Sequence, residues 1–297
     1  MGITTASRTQ DPVAQSPVAT PAGTAGRVMD AAESRYMQGD RQPATSSVLI
    51  SNSKYLNSPL YRDAFMQSAL RRHGHDLPPT YTIPAMVRAI DDVTDHAEIA
   101  RLIAEEKVRN PEFGAWVDSR HRFRYRAEAL AAYADGTLGA AIRAFLATGM
   151  DMEFMKGHEA ASDLQYIVER RATSHDIEHM VTGFGPNSAG EQALALCNVA
   201  SIARFFAPIL AQYFSHHTSF VSIAGFTRAT LHYHAALPTY MEAMQKGIAA
   251  GLALKKPLFL MNWDDYLDWR VEDIAAELGF DRGPGDAWDW TTEATCG

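Results

Sequence analysis

Two histidines four residues apart, each beside an acid, stand in the stretch Ser174-His175-Asp176-Ile177-Glu178-His179, and Glu191 follows twelve residues later. On a helix, residues four apart lie about 40° apart around the axis and one turn apart along it, so both imidazoles reach toward one point. The run Gly183-Phe184-Gly185-Pro186-Asn187 between them does not continue a helix. The spacing H-D-x-x-H-x11-E therefore predicts two helices joined by a short turn, with a carboxylate on the second facing the histidines of the first. That is the donor set of a metal site built on an αα-hairpin.

The first hairpin helix is predicted from about Ser162 to Thr182, with Leu164, Val168 and Ala172 on the histidine side and Tyr166, Ile177 and Val181 opposite. A helix apolar on two faces is expected to be buried, with His175 and His179 pointing into protein. The second runs from about Ser188 to Phe206, with Glu191, Leu194, Ala195, Asn198 and Ile202 on one face. Each candidate ligand also has a plainer role. The histidines can be hydrogen-bonded core residues. Ser188-Ala189-Gly190-Glu191 reads as a capping box in which Glu191 reaches back to the Ser188 amide. Asp176 and Glu178 lie about 80° to either side of the bisector of the two histidines, so periodicity does not choose between them. Either can be a ligand, an acceptor orienting an imidazole, or a base acting on metal-bound water. Asn198, one heptad past Glu191, is a candidate partner behind the ligands.

Strand signals are scarce, and the expected fold is all-α: a single multi-helix domain over 47–280, between a disordered Ala/Ser/Thr/Pro-rich tail at 1–46 and an acidic flexible tail at 281–297. Helices are expected from Ser58-Pro59 to Gly74, in a short piece over 84–90, from Thr94 to Asn110-Pro111, and from Leu138 to Gly149. Others are expected around 208–217, 224–236, 238–254 and 263–278. The stretch Arg120-His121-Arg122-Phe123-Arg124-Tyr125-Arg126 reads as a solvated helix face or as a contact for an anionic lipid surface or diphosphate. A formal charge of −8 argues against a nucleic-acid partner. Cys197 and Cys296 make no disulfide framework, which points to a reducing compartment. The N-terminal residues are not expected to act as a secretory signal, and no apolar run is long enough to span a bilayer. Phe205-Phe206-Ala207-Pro208-Ile209-Leu210 reads as helix core or as the lining of a lipid tunnel.

Further strings extend the pattern: Asn110-Pro111-Glu112; Asp135-Gly136-Thr137-Leu138-Gly139 with Phe145-Leu146; Leu164-Gln165-Tyr166-Ile167; Glu169-Arg170-Arg171; Pro186-Asn187-Ser188-Ala189-Gly190-Glu191; and Glu277-Leu278-Gly279-Phe280. With the histidine motif they resemble the fourth COQ protein family of ubiquinone biosynthesis over roughly residues 60–280. The resemblance implies a helical protein at the membrane, acting on lipid quinone intermediates. It implies loss of the ring C1 carboxyl of a prenylated hydroxybenzoate and its replacement by hydroxyl. It also implies that His175, Asp176, His179 and Glu191 hold the metal, so that Glu191 is a ligand and not a cap and Asp176 is chosen over Glu178. The expected cofactor is one divalent ion, zinc (Zn2+) or ferrous iron (Fe2+), with metal-bound water or Asp176 as base.

Expected partners are a prenylated aromatic lipid intermediate, other ubiquinone-biosynthesis enzymes and a membrane surface, with no nucleic acid and a homodimer among the options. The location implied is cytoplasmic and peripheral on the inner membrane in a bacterium, or the matrix side of the mitochondrial inner membrane in a eukaryote. The alternatives are a non-catalytic scaffold that binds prenyl intermediates and gathers the other enzymes, and a related decarboxylase of a different aromatic acid. The chain departs from the family around Tyr213–His234, where His216, His217, His232 and His234 are candidate extra ligands. A departure there bears on which substrate fits.

Overall fold

A computed structural model describes residues 53–72, 82–148 and 160–296, together with Ala31. Among these residues there are twelve α-helices and no strand, and Thr137 and Arg270 form an isolated antiparallel bridge. The helices are α1 (Lys54–Asn57), α2 (Pro59–Leu70), α3 (Ile83–Asp92), α4 (His96–Arg109), α5 (Pro111–Ser119), α6 (Leu138–Ala147), α7 (Asp163–Thr182), α8 (Ser188–Phe205), α9 (Pro208–His232), α10 (Leu237–Ala253), α11 (Val271–Leu278) and α12 (Trp290–Cys296). The expected all-helical class holds. The tail at 1–46 lies outside the described residues apart from Ala31, and so do Gly74 and Gly149.

Local chemistry places most starts and stops. Ser58 caps α2 through its side chain, with Pro59 at the first position. Asp95, not Thr94, caps α4, accepting from Glu98 N at 3.0 Å. Asn110 ends α4 and caps α5. The core forms three clusters. The largest joins Ile177, Val181, Phe184, Ala193, Leu194 and Cys197 of the α7–α8 region to Leu138, Ile142, Tyr240, Trp263 and Trp288. A second packs Tyr166 and Ile167 against Phe113, Phe206, Phe214 and Phe259, so Phe206 and Leu210 are core residues. The third seats Phe220 of α9 on Ala64, Met86 and Ala89.

α8 is the central helix, packed on α9 and α10. Gly247 and Gly251 let α10 lie directly against the α8 backbone at Ala193 and Cys197.

Several expectations change. Residues 208–232 form one helix, not two. Within 263–278, only Val271–Leu278 is α-helical, after a short 3-10 turn over Trp263–Tyr266. Residues 121–126 are not helical: Arg120 pairs with Asp163 and Arg122 with Glu169, tying the basic stretch to α7. The segment 281–296 is no tail. It carries a 3-10 turn over Gly285–Trp288 and helix α12, and it buries Trp288, Thr291 and Thr295.

Candidate metal centre

Ser162 opens α7, its Oγ accepting from Gln165 N at 3.1 Å, and Gly183 closes it at φ 66° with its amide on the His179 carbonyl at 2.9 Å. A left-handed residue at that point favours glycine over any side chain with a Cβ. Asn187 then caps α8, its Oδ1 accepting from Gly190 N at 2.8 Å. Ser188, the expected cap, is instead the first helical residue, and its hydroxyl pairs with Thr295. The shift of one residue puts Glu191 fourth in the helix, out of register for a capping box. Its carboxylate is therefore available to the histidines.

The C-terminal segment fixes this register. Thr292 Oγ1 accepts from Ser188 N at 3.1 Å, Thr291 Oγ1 accepts from Ala189 N at 3.2 Å, and Asp289 accepts from the Asn187 side chain at 2.9 Å. These contacts satisfy amides that a helix N-terminus leaves without partners. Arg282 does the same at the far end of α7, donating to the carbonyls of Met180 and Val181.

Donor atoms of His175, His179 and Glu191 converge within 4.8 Å of one another. Glu191 turns one oxygen to each ring: Oε2 is 3.4 Å from His175 Nε2 and Oε1 is 3.2 Å from His179 Nε2. The rings meet edge-on, with centroids 4.6 Å apart. His179 is buried, and its Nδ1 lies 2.6 Å from the Phe184 carbonyl. A carbonyl only accepts, so Nδ1 carries the proton and Nε2 presents a lone pair. That Nε2 is buried without a hydrogen-bond partner. A ring held through one nitrogen by a backbone carbonyl, with the other nitrogen aimed at a neighbouring imidazole and a carboxylate, fits a metal ligand. Two imidazoles and one carboxylate suit zinc or ferrous iron equally.

The centre is partly open to solvent. His175 and Glu191 keep 43% and 49% of their side chains accessible, yet both are strongly desolvated by surrounding protein. Accessible surface with desolvation is the signature of a group lining a cleft. α7 and α9 both lie against α8 but make little contact with each other, which leaves the room. On the histidine side of α7, Val168 is 52% exposed, so the expected burial of both faces holds only for the side carrying Tyr166, Ile177 and Val181.

Burial works against a charge on His175, but its interactions with Asp176 and Glu191 and the nearby charges of Glu191 and Glu178 raise its pKa to about 10. Burial works against the Glu191 carboxylate as well, and the closeness of both imidazoles outweighs it and holds that carboxyl far below its usual range. In the metal-free protein the ion pair's contribution to stability is complete below the ordinary histidine range near 6.5 and is lost as pH rises through about 10. A metal at His175 must displace that proton. Zinc loading is accordingly expected to release about one proton per chain at pH 7.5 and to tighten as pH rises. Calorimetric titration in buffers of different ionisation enthalpy reads the number, and a loading that releases none contradicts the arrangement.

Asp176, read as a ligand, stands apart from the convergence: its Oδ1 is 3.7 Å from His175 Nδ1, on the ring edge away from Glu191. Glu178 is buried and already engaged, accepting from Ser174 Oγ at 2.7 Å and Asn198 Nδ2 at 2.9 Å. Asn198 thus braces the helix beside the ligands through Glu178. Of the extra histidines, His216 bonds Tyr61 Oη at 2.7 Å and His232 bonds the Leu70 carbonyl at 2.8 Å, which ties α9 to α2. His217 lies within the electrostatic reach of His175, and burial together with Arg171, His175 and His216 pushes its pKa down to about 4. Two contributors were not read from the sequence. The Phe184 carbonyl left no signal, because a backbone atom has none. Arg171 did, since it stands four residues before His175 on the same face.

The profile of the family described as coenzyme Q (ubiquinone) biosynthesis protein Coq4 matches residues 119–284, a span that includes all three converging residues and more than half of the chain. Among solved structures, the chain is similar to a candidate ubiquinone biosynthesis protein from Nostoc punctiforme PCC 73102, at a TM-score of 0.56 and 22% identity. The match covers 74% of this chain and 94% of that one. At that identity the likeness concerns the fold. No curated protein matches the sequence.

Proposed function

From its place in the Coq4 family of coenzyme Q (ubiquinone) biosynthesis proteins, to which this chain belongs, we propose that it is a metal-dependent oxidative decarboxylase. Its substrate is a prenylated hydroxybenzoate, which loses the C1 carboxyl and gains an oxygen there. The observation that carries this reading is the donor count. Three side chains converge among the described residues, with Asp176 set aside, in a cleft open to solvent. Structural zinc sites usually close with four protein ligands, whereas catalytic sites keep a position for water or substrate.

When bound, a divalent ion at His175, His179 and Glu191 would supply Lewis acidity toward oxygens of the ring and, as iron, a route for electrons to dioxygen. The protein's own groups do the positioning. Phe184 holds the tautomer of His179. Asp176 stands beside Nδ1 of His175, 3.7 Å away, where its charge favours a proton on that nitrogen and leaves Nε2 to face Glu191. For a 4-hydroxybenzoate ring the overall change balances with one dioxygen: carbon dioxide and water leave, C1 takes one oxygen, and the ring departs at the quinone level with its own phenol supplying electrons.

No helix among the described residues is long and apolar enough to cross a membrane. With a prenyl lipid as substrate, we place the protein peripherally at the membrane that holds the lipid, alongside the other enzymes of the route. Deleting the gene is expected to accumulate carboxylated prenyl-phenols in lipid extracts read by mass spectrometry. Wild-type protein should clear them and His175→Ala should not. An unchanged quinone profile sinks the reading, and full rescue by His175→Ala leaves the non-catalytic scaffold as the better account.

A further inference from the structure

Three arginines around α7 are paired with acids. Arg120 pairs with Asp163, Arg122 with Glu169, and Arg282 with backbone carbonyls and Glu272. Arg170, fully buried away from solvent, donates Nη2 to the Met261 carbonyl at 3.0 Å and lies 3.8 Å from the centre of the Phe123 ring, with Nε and Nη1 enclosed and without hydrogen-bond partners. Arg171 stands differently. Its guanidinium lies 5.4 Å from the centre of the Phe259 ring, half-buried, and donates to no carboxylate or carbonyl among the described residues. The acid whose field reaches it is Glu178, whose two oxygens are already taken by Ser174 and Asn198. A desolvated cation without a counter-charge is costly to keep, and it gains most when an anion arrives.

Its position says where that anion would lie. Arg171 is one turn before His175, about 40° around the axis and about 6 Å along it. It therefore borders the same cleft as His175 and Glu191. Tyr213 and His217, one turn apart on α9, both feel its charge, so the opposite wall of the cleft is close by. The rise of about 6 Å between the two residues along α7 is comparable to the length of a benzoate ring. A guanidinium fork also matches a carboxylate in a way that a lysine does not.

We propose that Arg171 anchors the carboxylate of an anionic aromatic acid whose remaining ring oxygens face His175, His179 and Glu191. The proposal deepens the decarboxylase reading and rests on it for the class of acid. It makes Arg171 a substrate-binding residue, one that selects a carboxylated ring over the same ring without its carboxyl.

The test uses the zinc-loaded full chain, with 4-hydroxybenzoate and phenol as probes and binding read by ligand-observed NMR titration. Wild type is expected to hold the acid at least tenfold more tightly than phenol. Arg171→Gln should lose at least tenfold on the acid and nothing on phenol, and Arg171→Lys should recover part of the loss. Equal zinc content and circular dichroism establish that the variants are folded. Acid binding unchanged in Arg171→Gln, or a wild type that does not prefer the acid, overturns the proposal. Repeating the titration on metal-stripped wild type separates the two claims. A preference for the acid that survives stripping and disappears in Arg171→Gln upholds the anchor even where the metal-dependent reaction fails.

Discussion

Replacing His179 by alanine is expected to take the bound metal of the purified protein from about one per chain to below about a tenth, measured by elemental analysis without added metal. The expectation rests on its geometry. His179 is the most buried of the three donors, its tautomer is fixed by the Phe184 carbonyl, and its Nε2 has no other partner. The substitution also leaves that carbonyl unpaired in the interior, at a cost of about 1–3 kcal/mol, so circular dichroism must show that the variant is folded. Asp176→Asn provides the contrast. If Asp176 only orients His175, the variant keeps its metal with an affinity about 10–100-fold weaker. Loss of metal as complete as in His179→Ala makes Asp176 a ligand. Undiminished metal in His179→Ala removes the site altogether.

The hairpin could be read from the chain because everything that forms it is local. Histidines at i and i+4, a glycine in the left-handed region and a proline after it specify two helices and their turn within about 30 residues. What the same residues could not specify was the start of α8 by one position. Asn187 and Ser188 both cap well, and the choice between them is made by Thr291, Thr292 and Asp289, about 100 residues onward. Those residues sit in a stretch whose glycines, proline and acids look like linker. Trp288 and the threonines count only once α8 is present to receive them. The capping alternative for Glu191 and the expectation of a tail at 281–297 therefore fall to the same contacts, seen from their two ends.

The middle of α9 was lost for a related reason. Ser215, His216, His217, Thr218 and Ser219 are indifferent helix formers, so propensity alone predicts a break there. The helix continues because His216 bonds Tyr61 and Phe220 packs into the cluster with Ala64 and Met86, contacts supplied by α2 and α3. Asp176 and Glu178 were undecidable by angle alone. Burial distinguishes them: Glu178 is enclosed and answered by Ser174 and Asn198, whereas Asp176 is 38% exposed at the edge of the cleft.

Gly190→Ala is expected to damage the fold and the centre together. A Cβ at Gly190 would stand 1.9 Å from the Gly185 carbonyl oxygen and 2.8 Å from the Gly185 nitrogen and carbonyl carbon. These are backbone atoms, so no side-chain rotation relieves the contact, and the first turn of α8 must move off the turn that follows α7. Alanine gains at most about 1 kcal/mol in helix propensity, whereas overpacking typically costs about 1–3 kcal/mol and more where backbone must shift. Destabilisation wins, by roughly 2 kcal/mol, which for a chain of this size lowers Tm by about 4–8 °C. The residue that moves with that turn is Glu191, and metal sites tolerate departures of only about 0.2 Å in ligand distance. Zinc affinity should fall more than tenfold even at temperatures where the variant is fully folded. Gly225→Ala is the control, since the nearest atom to a new Cβ there is a side-chain oxygen, Gln192 Oε1 at 3.3 Å, and no backbone atom lies in the way. That variant should match or slightly exceed wild type in Tm and leave zinc binding untouched. A Gly190→Ala protein that melts with wild type and binds zinc as tightly would mean that the turn after α7 does not hold Glu191 against the histidines.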